Sequence, residues 1–172
     1  MRPFLLGLII GIILLPLFAF CYVYFGYAPV ATAEPPFPME RKITSIALKA
    51  RISKEAPKDA AIPVNEENLM EGAKVYRQQC EICHGTGGPI TPTAQGMFPR
   101  PPQLLHGKGV TDDPAGETYW KVKNGIRLTG MPAYGPSLSD QQIWQVSLFL
   151  ANADKLPGTV SAYLSKPTEP SR

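Results

Sequence analysis

Two cysteines and a histidine lie within five residues of the chain, in the segment "CEICH" that spans residues 80–84. Thiolate and imidazole groups often bind metals or hold cofactors, and paired thiols also form disulfides. The whole chain of 172 residues contains three cysteines and two histidines. Because most of these reactive side chains are concentrated in one place, Cys80, Cys83 and His84 are the first candidates for a functional site.

The rest of the sequence discriminates between the kinds of site that use such residues. A zinc site needs four ligands. Beyond the motif, the remaining candidates for a fourth ligand are His106 and Cys21, and Cys21 lies in a long apolar run. A redox-active C-x-x-C would stand between a strand and a helix, and a disulfide leaves the histidine without a role. The pattern C-x-x-C-H is the attachment motif of c-type haem. The sequence therefore predicts one covalently attached haem c at Cys80 and Cys83, with His84 as an iron ligand.

A second iron ligand is expected from the segment "GIRLTGMPAYG", which contains Met131. Gly130 before it allows the backbone to approach a planar group closely, and Pro132 after it fixes the chain direction. Packing in the core is the ordinary role of a methionine, so the prediction depends on this local context. Met97, in "QGMFPRPP", and His106 are the alternative ligands, although Met97 follows the histidine of the first segment by only 13 residues.

Two helices are expected to position these side chains. Asn65 can cap a helix that runs through "NEENLMEGAKVYRQQCEICH", and residues three and four apart on it can face the same way. Ser139 and Gln142 have the spacing of a capping box that opens a last helix. The apolar stripe of that helix contains Ile143, Val146, Phe149 and Leu150.

Residues 65–153 resemble the class I c-type cytochromes that carry a single haem, since "GAKVYRQQCEICHG", "RPPQLLHG", "TGMPAYG" and "LSDQQIWQVSLFLANA" occur in the order of that family. The resemblance implies an all-α fold of three to four helices around one covalently bound haem, in which the first helix crosses the last at Gly72, against Phe149. It also implies that the carbonyl group of Pro102 accepts a hydrogen bond from the proximal histidine and that Leu104 packs on the haem.

The segment "ETYWKVKNGI" resembles the short helix that precedes the methionine loop in the same family. By that resemblance Trp120 and its neighbour Tyr119 are candidates for the edge of the haem. Packing in an ordinary core is the alternative for both side chains.

The N-terminus contains 24 uncharged residues, from Phe4 to Tyr27, preceded by Arg2. About 20 apolar residues suffice to cross a bilayer as a helix, and the apolar core of a signal peptide is usually about 7–15 residues long. The sequence therefore predicts a retained transmembrane helix, with cleavage after Ala33 as the alternative. The expected location is the bacterial inner membrane, with the haem domain facing the periplasm.

Four segments follow from this division. Residues 1–27 are predicted to be the anchor, residues 28–64 a proline-rich spacer with a short amphipathic helix, residues 65–155 the haem domain, and residues 156–172 an extended tail. The 19 prolines of the chain favour long ordered loops. The amphipathic segment is suited to a membrane surface, to a partner subunit or to simple exposure to solvent.

Composition limits the function. Residues 60–172 carry ten basic and ten acidic side chains, and this balance argues against nucleic acid as a partner. Iron with histidine and methionine as axial ligands has no open position, so no small-molecule substrate and no catalysis are expected. The sequence predicts one-electron transfer to redox protein partners, either as a carrier or as a subunit of a respiratory or photosynthetic membrane complex. A haem-based sensor or peroxidase with a displaceable ligand, or a structural subunit, is the alternative.

Overall fold

The computed structural model describes residues 2–105 and 113–166 of the chain, and His106 lies outside these residues. Within them the regular secondary structure is entirely helical. The chain divides into two compact units, Met1–Ile43 and Thr44–Arg172. The predicted all-α class is therefore confirmed.

Eight α-helices and one π-helical turn are found in the described part of the chain. Their bounds are α1 Arg2–Tyr24, α2 Glu40–Glu55, α3 Glu66–Val75, the π-turn Tyr76–Cys80, α4 Glu81–His84, α5 Pro92–Gln95, α6 Ala115–Asn124, α7 Asp140–Ala151 and α8 Gly158–Leu164.

Helix α1 dominates the first unit. Its stretch Pro3–Tyr24 is long enough and apolar enough to cross a membrane, with a mean hydropathy of 2.8. This criterion concerns length and composition, and a signal sequence near the N-terminus also meets it. Aromatic rings gather at its C-terminal end, where Phe20 stacks on Tyr24.

The core of the second unit lies where α3 crosses α7. Glycine at position 72 makes this crossing possible, because a Cβ atom there would lie 2.2 Å from the carbonyl oxygen of Gln145 and 2.7 Å from Cβ of Phe149. The rings of Tyr76 and Phe149 pack with their centroids 5.5 Å apart and are both fully buried. The crossing that the family resemblance implied at Gly72 against Phe149 is confirmed.

Helix α7 begins as the sequence predicted and is also covered by α6. The side chain of Ser139 accepts a hydrogen bond from the backbone of Gln142, whose side chain accepts one in return, so the capping box is present. On α6, the ring of Tyr119 stacks on Trp144 of α7 with a centroid separation of 4.2 Å. Tyr119 therefore serves the contact between α6 and α7, the ordinary core role that the sequence left open for it.

The second unit begins earlier than the predicted boundary at residue 65. Ile52, on the last turn of α2, is only 4% exposed. A Cβ atom at position 116 of α6 would lie 1.8 Å from the carbonyl oxygen of Pro57. Because Gly116 accepts this close backbone contact, the end of the predicted spacer is part of the folded unit.

The C-terminal segment is helical where the sequence predicts an extended tail from residue 156, and that prediction is corrected. Helix α8 spans Gly158–Leu164, and its Val160 is completely buried. The guanidinium group of Arg77 lies 5.3 Å above the ring of Tyr163 and donates to the carbonyl oxygen of the same residue. The alternation of small, apolar and polar residues in this segment gives no clear helical pattern in the sequence. The helix is stabilised by packing rather than by propensity.

Candidate functional site

The sequence predicts that the cysteines lie on one continuous α-helix. In the structure they lie at a break in helical geometry. Helix α3 ends at Val75, and a five-residue π-helical turn, Tyr76–Cys80, leads into α4. The N–H group of Glu81 donates to the carbonyl oxygen of Tyr76, five residues earlier. Such π-turns are rare and often occur at functional sites. Because the extra residue rotates the next turn about the helix axis, it changes the direction in which the C-x-x-C-H motif faces.

Both cysteines of the motif are free thiols and half-buried. Cys80 also packs against the hydrophobic core. Burial, and to a smaller extent the neighbouring Cys83, raises the pKa of the Cys80 thiol to about 12. The thiol of Cys80 is therefore protonated at neutral pH, and neither sulfur is consumed in a disulfide.

The imidazole of His84 is oriented by the backbone. Its Nδ1 atom lies 2.7 Å from the carbonyl oxygen of Pro102, which accepts only, so Nδ1 carries the proton and Nε2 keeps its lone pair. Burial lowers the pKa of His84, and the hydrogen bond to Pro102 opposes this effect. A neutral imidazole with a fixed tautomer is the form that binds metals. The hydrogen bond implied by the family resemblance is present.

The chain leaves α4 through a glycine that is held from two sides. Gly85 has φ +67°, a conformation that favours glycine, and its carbonyl oxygen accepts a hydrogen bond from the hydroxyl group of Tyr76. The amide group of Gln103 would contact a Cβ atom there at 3.3 Å. The Oε1 atom of Gln103 is buried without a hydrogen-bond partner. Glycine at position 85 thus allows the side chain of Gln103 to approach the end of the motif closely.

The loop that carries Met131, residues 125–134, is closed by its own hydrogen bonds. The hydroxyl group of Thr129 donates to the carbonyl oxygen of Ile126 and accepts from the N–H group of Met131. The N–H group of Ile126 in turn donates to the carbonyl oxygen of Met131. At the start of the loop, Gly125 has φ +67°, and a Cβ atom there would lie 2.7 Å from the N atom of Ala133. The loop therefore has a defined shape, in which Met131 is half-buried against the core.

Tyr134 joins this loop to the cysteine segment. Its hydroxyl group donates to the carbonyl oxygen of Gln79 at 2.8 Å, and its N–H group donates to the carbonyl oxygen of Val122 at 3.0 Å. Gln79 directly precedes the first cysteine of the motif. Tyr134 was not among the residues predicted from the sequence, since an aromatic residue three positions after a methionine carries no signal by itself. The structure thus brings the two predicted ligand segments together through a residue that the sequence did not single out.

The remaining candidates have separate positions. Leu104 is partly buried against the core. Trp120 is half-buried, and its indole N–H group donates to the carboxylate of Glu55 at 3.1 Å. Met97, which follows α5, lies beside Gly130 of the loop that carries Met131. The other alternative ligand, His106, lies outside the described residues.

The side chains present at this site suit haem c better than a bare metal ion. Across residues 2–105 and 113–166, no group of three or more His, Cys, Asp and Glu side chains could hold a metal ion. Two thiols and a neutral imidazole on one short segment, next to a loop with a thioether, are the groups that attach and ligate a haem.

One family model matches the part of the chain that contains the cysteine and methionine segments. Residues 67–150 match the family model described as "Cytochrome C oxidase, cbb3-type, subunit III". A solved chain of the reducing HAO-like protein complex of Kuenenia stuttgartiensis is similar, with 24% sequence identity and a TM-score of 0.46. The similarity covers 55% of this chain and 48% of that chain, so the match spans about half of the length of each. No curated protein matches the sequence.

Proposed function

We propose that this chain is a c-type cytochrome that carries single electrons through one covalently attached haem c. The match of residues 67–150 to the cytochrome family model supports this proposal. Cys80 and Cys83 would hold the group, and His84 and Met131 would bind its iron. The observation that carries the proposal is the hydrogen bond between Nδ1 of His84 and the carbonyl oxygen of Pro102. It leaves a neutral nitrogen available directly beside two free thiols.

The chemistry supplied by such a group is the reversible exchange of one electron at iron, at a potential that the methionine ligand raises. The residues of the chain contribute orientation. Pro102 fixes the ring plane and basicity of His84 through its carbonyl oxygen. Tyr134 fixes the loop of Met131 relative to the cysteine segment. If His84 and Met131 both bind the iron, the protein would leave no open coordination position on it, and this favours electron transfer over catalysis.

Carbon monoxide provides the test that separates a carrier from a sensor or peroxidase. We expect the visible spectrum of the reduced protein to be unchanged by carbon monoxide, because a retained thioether ligand leaves no vacant coordination position. Redox titration should show one reversible one-electron transition. The Met131→Ala variant is the matched positive control, since it should bind carbon monoxide. A spectral shift in the unaltered protein would instead support the sensor or peroxidase.

We further propose that the protein is tethered to the bacterial inner membrane by α1, with its haem domain in the periplasm. The apolar length of α1 and the aromatic residues at its C-terminal end support this location. Covalent attachment suits an exported domain, which cannot recover a cofactor that it has lost. Redox proteins, or the subunits of a membrane complex, are the proposed partners. A tether keeps the haem domain at a high effective concentration near partners in the same membrane.

Retention of the anchor is tested by the intact mass of the protein from native membranes. We expect a chain that still contains residues 1–33 and that remains in the membrane fraction after an alkaline wash, because α1 is longer than a typical apolar core of a signal peptide. A variant in which residues 1–33 are replaced by a cleavable leader is the soluble control. A mature chain that begins at Glu34 would show that the segment is removed and that the carrier is soluble.

A further inference from the structure

The side chain of Met97 lies directly against the backbone of the methionine loop. A Cβ atom on Gly130 would lie 1.8 Å from Cε of Met97 and 3.5 Å from its Sδ atom. Gly130 has no positive φ, so the backbone conformation alone does not require glycine at this position. The space that a side chain of residue 130 would fill is occupied by the thioether of Met97.

Met97 is itself supported by a short fixed segment. Its N–H group donates to the carbonyl oxygen of Ala94 at 3.3 Å, and Ala94 is only 1% exposed. The helix that contains Ala94, α5, is capped by the side chain of Thr91, which accepts from the N–H group of Ala94. The terminal methyl group of Met97 is therefore presented to the loop from an anchored turn.

Met97 adds a side-chain contact at Gly130 to the hydrogen bonds that the loop makes within itself. Its C-terminal side is held by the hydrogen bonds of Tyr134 to Gln79 and Val122. Its tip is exposed, since Leu128 is 80% exposed and has φ +60°, which is unusual for a bulky residue. Gly130 lies between this exposed tip and Met131, so contact with Met97 restrains the backbone immediately before the proposed ligand.

We infer that Met97 is a positioning residue, whose side chain packs against Gly130 and keeps the loop in the conformation that presents Met131 to the iron. This inference rests on the proposed function, because it requires Met131 to be the axial ligand. It also gives Met97 a role different from the alternative of binding iron itself. A methionine suits the role because its flexible side chain fills an irregular gap.

Two substitutions of Met97 in the holoprotein distinguish these roles. Leucine keeps most of the volume but has no sulfur, so Met97→Leu should retain the near-infrared band of thioether–iron bonding and the midpoint potential. Met97→Ala removes the packing. It should raise the equilibrium constant for dissociation of Met131 on the order of tenfold, since truncation of buried methionines is strongly destabilising and this one is half-buried. The band should then disappear at a lower temperature and the midpoint potential should fall.

The control for general destabilisation is Met70→Ala. Met70 is also partly buried against the core, on α3 rather than beside the methionine loop. Its truncation should lower the unfolding temperature of the holoprotein without weakening the near-infrared band at temperatures below unfolding.

A double-mutant cycle between positions 97 and 130 measures the contact of Met97 with Gly130. Its Gly130→Ala variant also provides a test if the Met97→Ala protein fails to assemble with haem. Gly130→Ala in the unaltered background should displace Met97 and weaken the band. In the Met97→Ala background, the same substitution should have a smaller effect because the space is free, so the two changes should not be additive.

Each other outcome contradicts the inference in a recognisable way. Loss of the band in Met97→Leu together with its retention in Met131→Ala would show that Met97 ligates iron. An unchanged band and potential in both Met97 variants would show that the contact does not position the loop. Absence of the band from the unaltered protein would instead overturn the proposed function.

Discussion

Replacement of both Cys80 and Cys83 by alanine is expected to yield protein without covalently attached haem. The two thiols are the attachment groups of the proposed site, and neither is consumed in a disulfide. The effect on folding should also be large. A domain of about 90 residues buries a modest core, and a stability of about 5–15 kcal/mol is typical of native proteins. Loss of a large apolar group from the centre of such a domain is sufficient to remove most of its ordered helix.

Extraction with acidified acetone, followed by haem detection and circular dichroism of the protein, measures both effects. The third cysteine, Cys21 of α1, supplies the matched control, since Cys21→Ala should retain haem and helicity in full. Single substitutions of Cys80 or Cys83 should leave one attachment bond and a reduced yield. A double variant that is stable, free of haem and natively helical would contradict the expected contribution of haem to folding. A double variant that retains haem after extraction would contradict the assigned attachment.

Replacement of Met131 by alanine should leave haem attached but change its iron. The closed loop of Met131 is linked to the cysteine segment by the hydrogen bond from Tyr134 to Gln79, so this thioether is the proposed second ligand. Without it, the iron should become high-spin or bind water. The midpoint potential should fall by a substantial part of the about 0.8 V range over which axial ligands tune haem, because a methionine ligand favours the reduced state.

The near-infrared band of the oxidised protein and a redox titration measure the consequence. Met97 lies beside the same loop and is the alternative ligand that falls within the described residues. The Met97→Leu variant is therefore the control, and the double variant Met97→Leu with Met131→Ala completes the comparison. A band that persists in Met131→Ala but disappears in the double variant would identify Met97 as able to bind iron. A band that persists in both would exclude both methionines.

Much of the site could be predicted from the sequence because it depends on neighbouring residues. The C-x-x-C-H motif places two thiols and an imidazole within five positions, whatever the remaining chain does. The cap of α3 by Asn65 and the capping box of Ser139 and Gln142 are likewise formed between residues three apart. The apolar character of α1 is a property of composition alone. Features of this kind need no knowledge of the tertiary structure.

The resemblance to a known family supplied contacts that no local pattern contains. The crossing at Gly72 against Phe149 and the hydrogen bond between His84 and Pro102 were implied by it, and the structure has both. The proposed roles of Leu104 and Trp120 at the haem came from the same source. The indole group of Trp120 is bonded to Glu55, in a segment that lies outside the family pattern.

Only the tertiary structure decided the features that depend on distant residues. The bond from Tyr134 to Gln79 joins positions 55 residues apart, and the contact of Met97 with Gly130 joins two loops. The helix of residues 158–164 is stabilised by burial of Val160, which its own sequence does not signal. The π-turn before the motif shifts the register by one residue, a change that propensities do not encode. In each case the deciding free energy comes from packing between segments, and local sequence constrains only the segments themselves.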